Sequence, residues 1–167
     1  MNYSEARPQI KSGDILAWSH TGWKSWHDIK VQAVRMATRS EYSHVAVAWV
    51  VGNRVFALEA VMPCVRIFPL SKLGSFYWIP TEAKWDELVL ENALSKVGEE
   101  YSQVSAIKAF FIKIEADGSW ECAQYVMEVL SKCGIDLGWR ATPDSVVLEA
   151  QKLDFPMHYI FDKEESK

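Results

Sequence analysis

The chain of 167 residues lacks most of the features that announce a protein class at first sight. Its three cysteines, Cys64, Cys122 and Cys133, are odd in number and have neither disulfide nor metal-site spacing. Free thiols in a reducing compartment are the simpler expectation. No Cys-x-x-Cys or His-x-x-x-His is present to suggest zinc, and no cofactor is implied. No run is long and apolar enough to span a membrane. The segment from Met1 to Pro8 has no apolar core of the signal-peptide kind, so the chain is expected to stay cytoplasmic unless a phage-type or dedicated route exports it. An excess of positive charge is also missing. Eighteen Lys and Arg stand against 22 Asp and Glu, a formal charge of -4, which argues against a nucleic-acid partner. There is no internal repeat and no low-complexity segment. The charged run from Asp162 to Lys167 reads as a solvated tail.

What is present suits one globular domain over residues 1–167, with a core from about 10 to 161. The chain is 49% hydrophobic and 24% charged and carries eight tryptophans. Gly13-Asp14 followed by Ile15 to Trp18 reads as a turn entering a strand. Residues 19–26 read as a loop, and Asp28 to Met36 has helical spacing. Ser43 to Val51 and Val55 to Ala60 are β-branched, apolar runs separated by Gly52-Asn53, the pattern of a hairpin with a two-residue turn. Cys64 to Leu70 and Phe76 to Ile79 read as two more strands. Helices are predicted over Trp85 to Val97, with Leu88, Leu94 and Val97 sharing a face with Ala93. Others are predicted over Gln103 to Ile114, Trp120 to Lys132, and from Thr142-Pro143 to Lys152, with a closing strand at Phe155 to Phe161.

Ser119-Trp120-Glu121-Cys122 opens one of these helices. With Ser119 as N-cap, Cys122 is the third helical residue, where the positive end of the helix favours a thiolate. The plain alternative is a buried, inert cysteine. Counting outward from Gly52-Asn53 sets Ala46 opposite Glu59 and His44 opposite Val61. His44 and Glu59 then share a face as diagonal neighbours, about 7–8 Å apart and within reach of long side chains. A structural His–Glu pair is the alternative, and a one-residue slip of register would separate the two. Thiol, imidazole and acid together suit nucleophilic acyl chemistry: the histidine takes the thiol proton, the acid orients the histidine, and the helix-end N–H receives the oxyanion.

At this point the chain resembles a known family. Gly98-Glu99-Glu100-Tyr101 followed by Trp120-Glu121-Cys122-Ala123-Gln124-Tyr125-Val126 is similar to the cysteine region of NlpC/P60 peptidases. Here Gly13-Asp14-Ile15-Leu16 and Tyr42-Ser43-His44-Val45-Ala46-Val47 precede the cysteine, as in the circularly permuted, YiiX/YaeF-like branch. Leu58-Glu59-Ala60 and Thr142-Pro143 match that branch as well. The resemblance implies an α+β, papain-like fold in the circularly permuted NlpC/P60 arrangement, with an antiparallel sheet packed against helices. It implies Cys122 as nucleophile, His44 as base and Glu59 as the orienting acid. Tyr101 would line the pocket near the oxyanion and Trp120 would wall it, though each is equally readable as a core aromatic. Asp14 would brace a turn. Ala123 and Ala46 stand where the family usually has Ser and Gly. The expected partner is a peptide or acyl-amide substrate, of peptidoglycan type or lipid-linked. Hydrolase, thiol-dependent acyltransferase and inactive binding module of the same fold stay open, and the oligomeric state is not fixed.

Overall fold

The structure is a computed structural model describing residues 1–19, 41–99 and 120–161; the side chains of Trp120 and Glu121 lie outside the description. Its frame is an antiparallel sheet of six strands: β1 (Ile15–Ser19), β2 (Tyr42–Val51), β3 (Arg54–Val61), β4 (Cys64–Pro69), β5 (Phe76–Ile79) and β6 (His158–Ile160). Their order across the sheet is β4-β3-β2-β1-β5-β6. The helices among the described residues are α1 (Tyr3–Ala6), α2 (Glu87–Ser95), α3 (Trp120–Lys132) and α4 (Pro143–Lys152). This is the α+β class and sheet-on-helix packing expected from the sequence.

The β2–β3 hairpin turns at Gly52, whose φ of +60° is one that L side chains rarely adopt. Its register runs from Val51↔Arg54 to Val47↔Leu58, the pairing counted from the turn dipeptide. Side chains alternate across the sheet. Val45, Val47, Leu58 and Ala60 pack with α3 and α4 in one apolar cluster. Leu16, Trp18, Ala46, Ala48 and Ala57 pack in a second cluster with Ala6 and Leu70 on the opposite side. Burial on both faces accounts for the near-continuous apolar run of β2.

Gly13 and Asp14 hold the entry to β1. Gly13 has φ +93°, and a Cβ there would stand 2.5 Å from the Ala83 side chain, so only glycine fits. Asp14 is buried. Its Oδ2 accepts from the Lys11 N–H at 2.9 Å and Trp78 Nε1–H at 2.8 Å, and its Oδ1 from the Thr81 N–H at 3.2 Å.

Several predicted boundaries shift. The fourth strand stops at Pro69, and Leu70–Lys72 form a 3-10 turn. The closing strand is only His158–Ile160. Helix α2 starts at Glu87 because the Asp86 side chain accepts from the Val89 N–H. Val89 and Ala93, spaced i, i+4, face the core, while Leu88 is 74% exposed and Val97 lies past the helix end. The shared Leu88/Val97 face was therefore wrongly phased. The predicted helices over Asp28 to Met36 and Gln103 to Ile114 lie outside the described residues, as does Ser119. Among the described residues no helix is long and apolar enough to cross a membrane.

Candidate active site

Helix α3 carries Cys122 as its third residue. Cys122, Ala123, Tyr125, Val126, Val129 and Leu130 form its buried stripe, at the i, i+3, i+4, i+7 spacing of a core-facing helix. The Tyr125 hydroxyl donates to the Ala93 carbonyl at 2.8 Å and ties α3 to α2. Cys122 thus sits at the positive end of a helix fixed by its own packing.

His44 is positioned by the first residues of β2. Asp144, in the first turn of α4, accepts from the Glu41 and Tyr42 backbone N–H groups at 3.1 and 2.9 Å. That helix end is itself held by a capping box between Thr142 and Ser145. The β1–β2 pairing then skips Ser43: Trp18 faces His44, but Ser19 faces Tyr42. Such a bulge bends the strand and re-aims the side chains beside it. The Ser43 hydroxyl donates to the Trp18 carbonyl at 3.2 Å, and the Trp18 ring lies against the imidazole, 5.4 Å between centroids.

The imidazole Nε2 is 2.7 Å from Glu59 Oε2. Since an ionised carboxylate only accepts, Nε2 carries the proton and donates. The Cys122 thiol is also hydrogen-bonded to the His44 ring. By strand alternation His44 and Glu59 belong to the Trp18 side of the sheet, while Cys122 belongs to the helical side. They meet past the last β2–β3 pair, next to the bulge. The structure therefore brings Cys122, His44 and Glu59 together. Tyr101 lies outside the described residues, and Trp120 contributes its backbone as the first residue of α3.

A fourth residue joins them that the sequence reading passed over. Arg66 on β4 lies directly opposite Glu59. Its Nε and Nη2 reach Glu59 Oε1 at 2.8 and 2.7 Å. The same outward count was available from Met62-Pro63, which sets Val61 opposite Cys64, Ala60 opposite Val65 and Glu59 opposite Arg66.

The charges agree with this wiring. Burial alone would lower the pKa of His44, but the hydrogen bonds and charges of Cys122 and Glu59 outweigh it and raise the value to about 9. Burial alone would raise the pKa of Glu59, but His44 and Arg66 outweigh it, and the carboxyl falls below its ordinary range. Burial pushes Cys133 up to about 11, and its Sγ–H donates to the Val129 carbonyl at 3.6 Å. His158 packs against the Trp78 ring.

No family model and no curated protein sequence matches the chain. Among solved structures, the chain is similar to the metalloprotein YiiX from Escherichia coli O157:H7, at 21% identity and a TM-score of 0.52. The match covers 78% of this chain and 71% of that one. It shows the fold: an α+β, papain-like arrangement of the YiiX type.

Proposed function

We propose that the chain is a cysteine hydrolase of the circularly permuted NlpC/P60 kind, cleaving an amide or related acyl bond in a peptidoglycan-type peptide or an acyl lipid. The observation that carries this reading is the unbroken chain from the Cys122 thiol at the start of α3, through the His44 ring, to the Glu59 carboxylate.

With Nε2–H held by Glu59, the remaining ring nitrogen, Nδ1, is the one left to take the Cys122 proton. The thiolate attacks the carbonyl carbon, and the oxyanion that forms turns toward the N–H groups at the first turn of α3. The His44 imidazolium passes its proton to the leaving amine, and a thioester stands on Cys122. Water, deprotonated at His44, attacks that thioester; the acid is released and the thiol is restored. Glu59 keeps the ring in one tautomer throughout.

The word metalloprotein in the name of YiiX raises a metal as a further ingredient. Among the described residues no group of three or more His, Cys, Asp or Glu side chains stands together as a metal cage. The nearest donors, His44 and Glu59, are already bonded to Cys122, to each other and to Arg66. The described residues do not fit a resident metal, and no step is assigned to one.

One observation favours a second reading. Cys122 is only 2% exposed, as suits a binding module that keeps the fold without turnover. A p-nitrophenyl acyl ester separates the two. The hydrolase releases p-nitrophenol in a burst, leaves an acyl group on Cys122 detectable by mass spectrometry, and loses both in Cys122→Ala and His44→Ala. An acyl group on Cys64 or Cys133 instead, or a rate equal in all three proteins, sinks the hydrolase.

A further inference from the structure

We infer that Arg66 is a positioning residue of this site, dividing the two oxygens of Glu59 so that one is held by the guanidinium and the other is left for His44. The inference rests on the hydrolase reading and extends it to a fourth side chain.

Arg66 faces Glu59 across the β3–β4 ladder, so the backbone register sets its reach. Nε and Nη2 both converge on Oε1, at 2.8 and 2.7 Å, while Oε2 takes His44 Nε2 at 2.7 Å. Two donors on one oxygen fix the plane of the carboxylate and leave the other oxygen aimed at the imidazole. The guanidinium is held from its other side by Phe68, two residues on along β4, with 4.6 Å from its carbon to the ring centroid. Glu59 is almost wholly buried, whereas Arg66 is 43% exposed on its side chain. The cation thus reaches a buried acid from the solvent side.

The titratable groups facing Glu59 are His44 from β2 and Arg66 from β4, and Cys122 of α3 stands beyond His44. An arginine here keeps Glu59 ionised in mild acid. Only an ionised Glu59 holds Nε2–H in place and leaves the other ring nitrogen to the thiol. Removing the guanidinium lets Glu59 take a proton at a higher pH, and the working tautomer is lost from the acid side.

The experiment is the rate at which iodoacetamide alkylates Cys122, followed peptide by peptide across pH in the full chain. In Arg66→Gln the acid limb of that profile is expected to move up by about one pH unit, so labelling on the limb falls by about tenfold while the alkaline rate is kept. Arg66→Lys, which returns a cation, is expected to bring the limb most of the way back. Arg66→Met keeps the aliphatic stem beside Phe68 and replaces Arg66→Gln should that variant not fold. A limb that does not move, or a rate lowered equally at every pH, overturns the role of Arg66 and leaves the hydrolase standing. Absence of labelling at Cys122 in the unaltered protein, or a profile unchanged by His44→Ala, overturns the hydrolase reading and this inference with it.

Discussion

Asp14, at the entry to β1, and Glu59, on β3, are both buried carboxylates, 1% and 2% exposed. Asp14 is met by uncharged donors alone: two backbone N–H groups and the indole of Trp78. Glu59 is met by an imidazole and a guanidinium. The consequence is opposite in sign. Burial outweighs the hydrogen bonds and the more distant Lys11 charge at Asp14 and raises its pKa. Two cationic partners outweigh burial at Glu59 and lower it. A buried acid surrounded by N–H groups braces a backbone; one held between two cations, one of them bonded to a thiol, is kept ionised, as the proposed function requires. The kind of partner, rather than the depth of burial, sets the charge of these two carboxylates.

The sharpest break of this comparison is to make each acid an amide. In Glu59→Gln the amide oxygen is expected to stay with the two Arg66 donors, which turns the NH2 toward His44. Nε2 must then accept, the proton moves to Nδ1, and the nitrogen left to the thiol no longer takes its proton. Turnover of the p-nitrophenyl ester is expected to fall by about a hundredfold or more, with the far-ultraviolet circular dichroism unchanged. An unaltered rate would reduce Glu59 to the structural class of Asp14. The same change at Asp14 is expected to leave the shape of the pH–rate profile as it was.

Asp14→Asn should instead cost stability. Whichever way the amide is turned, its NH2 meets a donor: the Lys11 and Trp78 N–H groups at one oxygen position, the Thr81 N–H at the other. A loss of about 1–3 kcal/mol is expected in urea unfolding, the cost of a buried polar group left with the wrong partner. A loss near zero would mean that the turn at Gly13 holds itself without the acid.

These two acids also show how far residues alone lead. The β2–β3 register was readable because Gly52-Asn53 fixes the count, and every step from it is one residue against one. The meeting of His44 with Glu59 followed from that count. Cys122 followed from the phase of an amphipathic helix, and its position as third helical residue from the start of that helix. The bulge at Ser43 was not readable, because it depends on how β1 pairs with β2 across a long connection that leaves no local signature. Arg66 was readable in principle and was missed, since Met62-Pro63 lacks the usual hairpin-turn residues. The expected face of α2 fails because Leu88 and Val97 fall on opposite sides of a helix turning about 100° per residue, and Val97 lies past its end, whereas Val89 and Ala93 at i, i+4 share one side.

The smallest effect concerns stability in acid, where the two acids work against each other. Glu59 has a lowered folded pKa, so its contribution is present above about 4.5 and is lost as the pH falls through the folded value. Asp14 has a raised folded pKa, so its contribution is full below about 3.8 and is lost as the pH rises through the folded value. In the unaltered protein the two trends partly cancel. The variants separate them. The stability lost in Glu59→Gln is expected to shrink as the pH is lowered, because the unaltered protein loses the same contribution by protonation. The stability lost in Asp14→Asn is expected to grow over the same range. Urea midpoints of the three proteins at several pH values test both signs at once. Two penalties that change with pH in the same direction would show that the partners around these acids do not set their charge, and the contrast drawn between them would fail.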